Sequence, residues 1–481
     1  MTPIRTRFAP SPTGFLHVGG LRTALYAYLV AKKQGGTFIL RIEDTDQNRL
    51  TPGAVENMIK TLQWAGIDFD EGPGKGGPYG PYIQSERLEL YKKHAQQLVD
   101  AGHAYHCFCS PERLDRVRAQ QVANKLPPAY DRHCRNLSPE EVAQKIQEQP
   151  EHVIRMKIPV AGDLTFNDLI RGPVTFGYKV LDDQVLMKSD GFPTYHLAVV
   201  VDDHYMQTSH VIRGEEWLSS TPKHLLLYQY FGWKAPLFAH LPLMLNPDRS
   251  KLSKRQGDVA AEDYWKKGYL PEALINFIAF LGWNPGDERE IFSLDELKQE
   301  FSLERVGKAG AIFNIEKLDW LNHYYIQHLP TQELLARLKP LLHEKGWTNK
   351  SEEFLLAAVN LFKERMTTLP DFVSAGSYFF DAPTEYDQTV WVKNWTPDTA
   401  RHLLTLEKLF EQLKPFDAAQ LEQTLRDYAT QKNLKTSVLM SPLRLAITGV
   451  GKGPSVFHTM EVLGKEESCA RIRTACARAA A

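Results

Sequence analysis

Apolar positions along the chain change period several times, and each change marks an element. Residues 2 to 8, TPIRTRF, alternate β-branched, basic and aromatic side chains, the rough two-residue period of a strand ending near Arg7 and Phe8. After the loop APSPTGFLHVGG, apolar side chains recur at Leu21, Ala24, Leu25, Tyr28 and Leu29. That is helical spacing, and Gly35-Gly36 stops it. TFILRIEDTD then groups Phe38, Ile39, Leu40 and Ile42 as a buried second strand. Strand, helix and strand make a βαβ unit with parallel strands, and in such sheets ligands sit outside the carboxyl ends of the strands. Glycines at 14, 19 and 20 let something bulky approach the backbone. The N–H groups of the helix start suit a phosphate ester, although the spacing matches neither GxGxxG nor GxxxxGK[ST]. On this stretch alone a plain structural turn remains the alternative.

TPGAVENMIKTLQWAGIDF reads as a helix with Pro52 near its first turn and Gly66 at its end, and SERLELYKKHAQQLVDAG reads as another. Between them, DEGPGKGGPYGPY is an irregular loop, because Lys75 is followed by Gly76 where a phosphate loop needs Ser or Thr. From about residue 90 to 190 the pattern loosens into an insertion. Strand-rich βαβ texture returns with YHLAVVVDDHY and HVIRG, followed by a helix that opens at STPKH and runs to Phe231. Beyond about residue 325 amphipathic helices such as QELLARLKPLLHEKGW and TARHLLTLEKLFEQL succeed one another and strand signals nearly vanish, so the last third is expected to be an all-α module.

Length and composition narrow the class. A chain of 481 residues is too long for one core, and about three or four domains are expected. With 43% hydrophobic and 24% charged residues, no apolar run near the roughly 20 residues that span a bilayer and no signal-peptide core, a cytosolic protein is expected. A net charge of −1 gives no global pull toward nucleic acid, so such a partner must be held by local basic patches. Residues 105 to 135 carry six Lys or Arg against three Asp or Glu, a mild bias of that kind. Five cysteines, three of them between 107 and 134, are no secreted disulfide framework; their CxC spacing points to metal or to nothing.

A basic segment, PDRSKLSKRQGD, places Arg249, Lys251, Lys254 and Arg255 within seven positions, after the strand-like LPLML and before a helical pattern. Lysines at the edge of a nucleotide-binding sheet can follow charge as it moves onto a leaving pyrophosphate, without a protein nucleophile. At this point the residues resemble a known family. PSPTGFLHVGG is similar to the first signature of class I aminoacyl-tRNA synthetases, and KLSKR, residues 251 to 255, to the second. With RIEDTD, PTYHLAVVVDDH and VIRGEEW in the same order, the chain resembles the bacterial-type glutamate–tRNA ligase (glutamyl-tRNA synthetase) family over essentially its whole length.

The resemblance implies a Rossmann-type α/β catalytic domain with a parallel sheet, an inserted α+β domain that binds the acceptor end, and an all-helical C-terminal anticodon-binding module. The expected boundaries are 1–90 and 195–246 for the two catalytic halves, 91–194 for the insertion, 247–325 for the KLSKR loop and stem-contact domain, and 326–481 for the helical module. It implies a two-step reaction in which L-glutamate and ATP give glutamyl-adenylate and the acyl group passes to the 3′-terminal adenosine of tRNA(Glu). His17 and Gly19 would cradle ATP, and Lys254 assisted by Lys251 would stabilise the α-phosphate and the departing pyrophosphate, with Mg2+ sharing that charge. Glutamate would be read by Arg7 and Arg213, with Tyr195 donating from its hydroxyl, Glu43 holding the ammonium group and Ser11 supporting the α-carboxylate. Arginine suits this physically, since a second carboxylate needs a fixed cation with bidentate geometry.

Three features depart from the pattern or stay open. Gly20 stands where many class I members have a second histidine. Cys107, Cys109 and Cys134 match a CxC…C arrangement that holds structural zinc in some members, but Asn136 stands where a histidine would complete it. Tyr130, His133 or His106 would have to serve as the fourth ligand, and free buried thiols are the other reading. Arg365 lies where discriminating members carry an arginine facing the last anticodon base, and charging of tRNA(Gln) as well stays open. A monomer is the family expectation. Two alternatives are a shorter relative that modifies a tRNA base, which lacks the helical module, and an inactive homologue, whose sign would be loss of His17, Glu43 or Lys254.

Overall fold

The computed structural model describes residues 3–252 and 260–480. By its internal contacts the chain divides into two compact units, Met1–Tyr264 with Leu274–Asn314, and Trp265–Ala273 with Ile315–Ala481.

In the first unit, β1 (Arg5–Phe8) is buried along its whole length, and α1 (Val18–Lys33) leads from it to β2 (Thr37–Leu40). The two strands pair in parallel from Arg5–Thr37 to Phe8–Leu40. Gly35, at φ +63°, makes the turn off the helix in a conformation that a side chain would strain. α2 (Ala54–Trp64) and α3 (Leu88–Asp100) follow. The chain then forms β3 (Ala104–Cys107), α4 (Pro111–Ala123), α5 (Pro139–Glu148) and β4 (Val153–Met156). Next come the hairpin β5 (Asp163–Asp168) and β6 (Gly172–Gly177), and then β7 (Val185–Met187). Strands β3, β4 and β7 form a small antiparallel sheet. Helices α4 and α5 bury no residue, and proline at the first turn and a serine cap hold each start.

α6 (Tyr195–Tyr205), β8 (His210–Gly214), α7 (Thr221–Phe231) and β9 (Leu237–Leu241) return to the main sheet. Its order is β2-β1-β8-β9-β5-β6. The first five strands run parallel and β6 antiparallel, so the sheet is mixed rather than purely parallel. The hairpin thus crosses from the looser central stretch and extends the main sheet through the Asp168–Phe238 pair. A short parallel pair, β10 (Met244–Leu245) with β11 (Ala311–Ile312), lies beyond it.

YHLAVVVDDHY is a helix, not the strand its texture predicts. Residues 197 to 203 are all buried, Asp202 and Asp203 included, so no polar face remains to give the helical period away. A run of valines buried on every side then reads as a strand.

The second unit is helical: among the described residues it holds no strand, and its elements run from Ile315–His328 to Lys465–Ala480. The amphipathic spacing puts Leu403, Leu406, Phe410, Leu421, Leu443 and Ile472 into one core.

Candidate active site

A cavity of about 810 Å3 opens at the carboxyl ends of β1 and β8, where Arg7, Ser11, Gly19, Glu43, Tyr195 and Arg213 all line it. The fold explains the convergence. Arg7 and Arg213 stand near the ends of neighbouring parallel strands, and Glu43 follows β2 with its N–H bonded to Pro10 O at 3.0 Å. Tyr195 is the first residue of α6, and α1 points its first turn, Gly19 and Gly20, at the same space. Ser11 is exposed at the rim. A Cβ at Gly20 would come within 2.9 Å of Leu16 Cδ1, so the glycine keeps this wall thin.

Arg7 belongs to a buried ion network. Its Nε donates to Asp203 Oδ1 at 3.0 Å, and Arg41 donates to the same oxygen at 2.8 Å and to Glu43 Oε1 at 3.0 Å. Asp202 accepts from Arg87 at 2.7 Å, from Gln84 and from Tyr91. Burial pushes the Asp203 carboxyl up, but the Arg7 and Arg41 guanidiniums outweigh it and hold Asp203 below the usual carboxylate range. For Glu43 the balance is reversed: burial pushes it up, and Arg41 and Arg7 only partly oppose that. Among the described residues Arg7 makes no side-chain bond besides the one to Asp203, so its two terminal nitrogens have donors to spare, and the residue lines the cavity.

Arg213 is 5% exposed and has no carboxylate partner among the described residues. Its Nε donates to His240 Nε2 at 3.1 Å and its Nη1 to Tyr195 Oη at 2.9 Å and His224 Nδ1 at 3.2 Å. Nη2 donates to Thr221 Oγ1 at 2.9 Å and Trp217 O at 3.3 Å. Five N–H groups thus meet five neutral acceptors, and the charge stays uncompensated. Both imidazoles are neutral: burial, then Arg213, holds His224 well below its usual pKa, and burial lowers His240 despite Asp168. Burial raises the Tyr195 phenol, which keeps its proton and can donate it to a ligand.

The other described sequence candidates do not line this cavity. His17 caps α1, its Nδ1 accepting from Gly19 N at 2.9 Å, and its backbone bridges to Ala260; it does not line the cavity. Lys251 is exposed and bridges to Leu245. Lys254 lies outside the described residues. Arg365, in the second unit, is exposed at the end of the short turn Lys363–Arg365.

The cysteines do meet. Ligand atoms of Cys107, Cys109 and Cys134 lie within 4.8 Å of one another. Tyr130 Oη is 3.2 Å from Cys107 Sγ and 3.5 Å from Cys109 Sγ. His106 instead pairs with His152 at 2.6 Å, and His133 is exposed, so of the three candidates Tyr130 is the one brought to the sulfurs. Arg155 and Arg113 donate to Cys107 and Cys109 at 3.3 and 3.5 Å.

Sequence reasoning gave no role to Asp203, Arg41, Asp168, His240 and His224; Arg41 and Asp203 stand inside RIEDTD and PTYHLAVVVDDH, and Asp168 and His240 stand in no motif. The one usable signal was Asp202-Asp203, two carboxylates closing an apolar run, which must find buried cations if the run is buried.

A profile described as "tRNA synthetases class I (E and Q), catalytic domain" matches residues 3–320, and one described as "Anticodon binding domain" matches residues 333–476. A glutamate–tRNA ligase of Pelodictyon phaeoclathratiforme is 52% identical over 486 residues, which cover 98% of this chain and 97% of that one. The chain belongs to the glutamate–tRNA ligase family. A second member, from Chlorobaculum parvum, is 51% identical over 487 residues, covering 98% of this chain and 97% of the other. Among solved structures, the glutamate tRNA ligase of Elizabethkingia meningosepticum in complex with its amino acid superposes with a TM-score of 0.93 at 44% identity over 99% of both chains. The glutamate–tRNA synthetase of Elizabethkingia anophelis matches with a TM-score of 0.89 at 43% identity, covering 98% of this chain and 99% of that one.

Proposed function

We propose that the chain is a glutamate–tRNA ligase, joining L-glutamate to tRNA(Glu) with ATP in two steps through glutamyl-adenylate. The observation that carries the reading of the amino-acid site is Arg213, a buried cation surrounded by neutral acceptors in a cavity that Arg7 also lines. A substrate carboxylate completes that wall. It supplies the missing negative charge, takes the open N–H edge of Arg7 and accepts from the Tyr195 hydroxyl. Glu43, held buried with its carboxyl pushed up, gains a partner when the ammonium group arrives, and Ser11 at the rim supports the α-carboxylate. Glutamine brings a neutral amide and leaves Arg213 uncompensated, a penalty of about 3 kcal/mol.

ATP, entering with Mg2+, takes the start of α1, where the Gly19 and Gly20 backbone lets phosphate approach and His17 fixes the first turn. Lys254, with Lys251, stabilises the charge that leaves on pyrophosphate. The stretch 91–194 meets the acceptor end, 247–325 the stem, and the helical region 326–481 reads the anticodon, with Arg365 facing its last base. The three cysteine sulfurs offer the soft donors zinc favours, and the Tyr130 oxygen would bring the number to the four a tetrahedral site takes; such an ion would tie β3 to the turn at residues 130 to 134. A cytoplasmic monomer agrees with family practice, and among the described residues no helix is long and apolar enough to cross a membrane.

The test is transfer of labelled glutamate, with ATP, to separately prepared tRNA(Glu) and tRNA(Gln). Charging of tRNA(Glu) alone supports the ligase and the Arg365 role; charging of both keeps the ligase and removes that role; charging of neither overturns it. Lys254→Ala should lower the activation rate by orders of magnitude with the fold intact, and an unaffected rate would take this residue out of the mechanism.

A further inference from the structure

Behind Arg213, away from the cavity, stands a pair that no motif announces. Asp168 at the end of β5 and His240 on β9 are both buried, with Oδ2 and Nδ1 2.6 Å apart. The Asp168 Oδ1 atom accepts three backbone N–H groups, from Ile170 at 3.0 Å, Arg171 at 2.9 Å and His240 at 3.3 Å. These fix the carboxylate so that only Oδ2 faces the ring. On the far side of the ring, Nε2 meets Arg213 Nε at 3.1 Å, which has a hydrogen to give and no lone pair, and the Thr221 hydroxyl at 3.2 Å, which already accepts from Arg213 Nη2 and has its own hydrogen to give. The proton of the neutral imidazole therefore sits on Nδ1, toward Asp168.

We propose that Asp168 and His240 form a positioning dyad, in which the carboxylate selects the imidazole tautomer that presents a lone pair to Arg213 and thereby sets the cavity's affinity for a carboxylate side chain. The inference rests on the glutamate-site reading above and adds a requirement to it. Were the tautomer reversed, Nε2–H would face Nε–H of the arginine, two donors at hydrogen-bond distance, and the guanidinium would turn away from Tyr195. Burial supports the arrangement, since it holds His240 neutral while hydrogen bonds from His240 and two backbone N–H groups keep Asp168 ionised against its own burial. The charged groups facing the ring, Asp168, Arg171 and Arg213, are all accounted for in this balance.

Asp168→Asn tests the dyad sharply. The three backbone N–H groups orient the asparagine oxygen into the Oδ1 position, so the amide NH2 falls at Oδ2 and donates to Nδ1, forcing the proton to Nε2. Two readouts are taken on the full-length protein. The first is the tautomer of His240 from 15N shifts of histidine-labelled protein, its signal assigned by its loss in His240→Gln. The second is the separate KM for glutamate and kcat in tRNA(Glu) charging. The expected result is a reversed tautomer, a KM for glutamate raised about tenfold or more, and kcat at saturating glutamate within about twofold. The double variant D168N/H240Q should recover much of the loss, because the glutamine oxygen accepts from Arg213 without a tautomer to be set; it also covers the event that the single variant folds poorly. An unchanged tautomer in Asp168→Asn overturns the proposal, as does a reversed tautomer with unchanged KM or a double variant no better than the single one. Failure of the wild-type chain to use glutamate at all would instead strike the glutamate-site reading, and leave the tautomer measurement standing by itself.

Discussion

Two arginines, Arg7 and Arg213, reach the same cavity from neighbouring strands and are held in opposite ways. Arg7 has its charge answered by Asp203 and keeps its terminal N–H groups open. Arg213 has its N–H groups filled by a hydroxyl, a threonine, a carbonyl and two imidazoles, and its charge is answered by none of them. A guanidinium offers geometry and charge together, and here the two are divided between two walls. A carboxylate entering the cavity finds donors on one side and an unbalanced charge on the other, which an amide cannot satisfy.

Four measurements break or sharpen that contrast. The largest effect is expected on the compensated side, where Asp203→Ala leaves Arg7 and Arg41 without their shared carboxylate; urea unfolding should show a loss of about 3–5 kcal/mol. On the other side, Arg213→Ala removes no ion pair and should spare the fold more, while raising the KM for glutamate about a hundredfold, corresponding to about 2.7 kcal/mol. An unchanged KM would count against the pocket.

The walls should also respond to acid at different pH. Burial depresses His224 far below its usual pKa and His196 to about 3, so below about pH 6.5 the unfolded chain takes up protons that the fold refuses. Stability on the Arg213 side should therefore fall as pH drops from 6.5, by up to about 1.4 kcal/mol per unit for each such histidine. His224→Gln should flatten the slope. Asp203, held low by its arginines after burial has pushed it up, contributes stability that is fully present above about pH 3.9 and is lost only below it. Smallest is the change at Arg365. An exposed residue, it should shift stability by less than about 0.5 kcal/mol on replacement by glutamine, while tRNA(Gln) charging relative to tRNA(Glu) rises if it reads the last anticodon base. An unaltered ratio removes that role.

What the sequence made legible follows from locality. The first strand, its helix and the second strand were readable because each is short and keeps its own period, and the loops at strand ends then placed Arg7, Ser11, Glu43 and Arg213 at one end of one sheet. Tyr195 also came to the cavity, though as the first residue of a helix in a run that reads as a strand, since burial on every side erases the periodic signal. The supports of the arginines were hidden for another reason. Asp203 lies 196 residues from Arg7, and Asp168 lies 72 from His240, so no spacing rule connects them. Only the sheet order, which puts β5 next to β9, makes the second pair neighbours. Lys251 shows the limit from the other side: it stands in a signature, yet is exposed and away from the cavity lining.

The hairpin of β5 and β6 has a consequence for how such a chain can change over time. It arises between α3 and α6, in the stretch whose surface helices α4 and α5 bury nothing and so tolerate substitution. Yet it delivers Asp168 to the main sheet, and Arg171 beside it pairs with Glu215, two residues from Arg213. A recombination event that replaced this stretch wholesale would bring in a foreign hairpin and with it a foreign support for Arg213. The freely drifting surface and the setting of the arginine are thus inherited as one block.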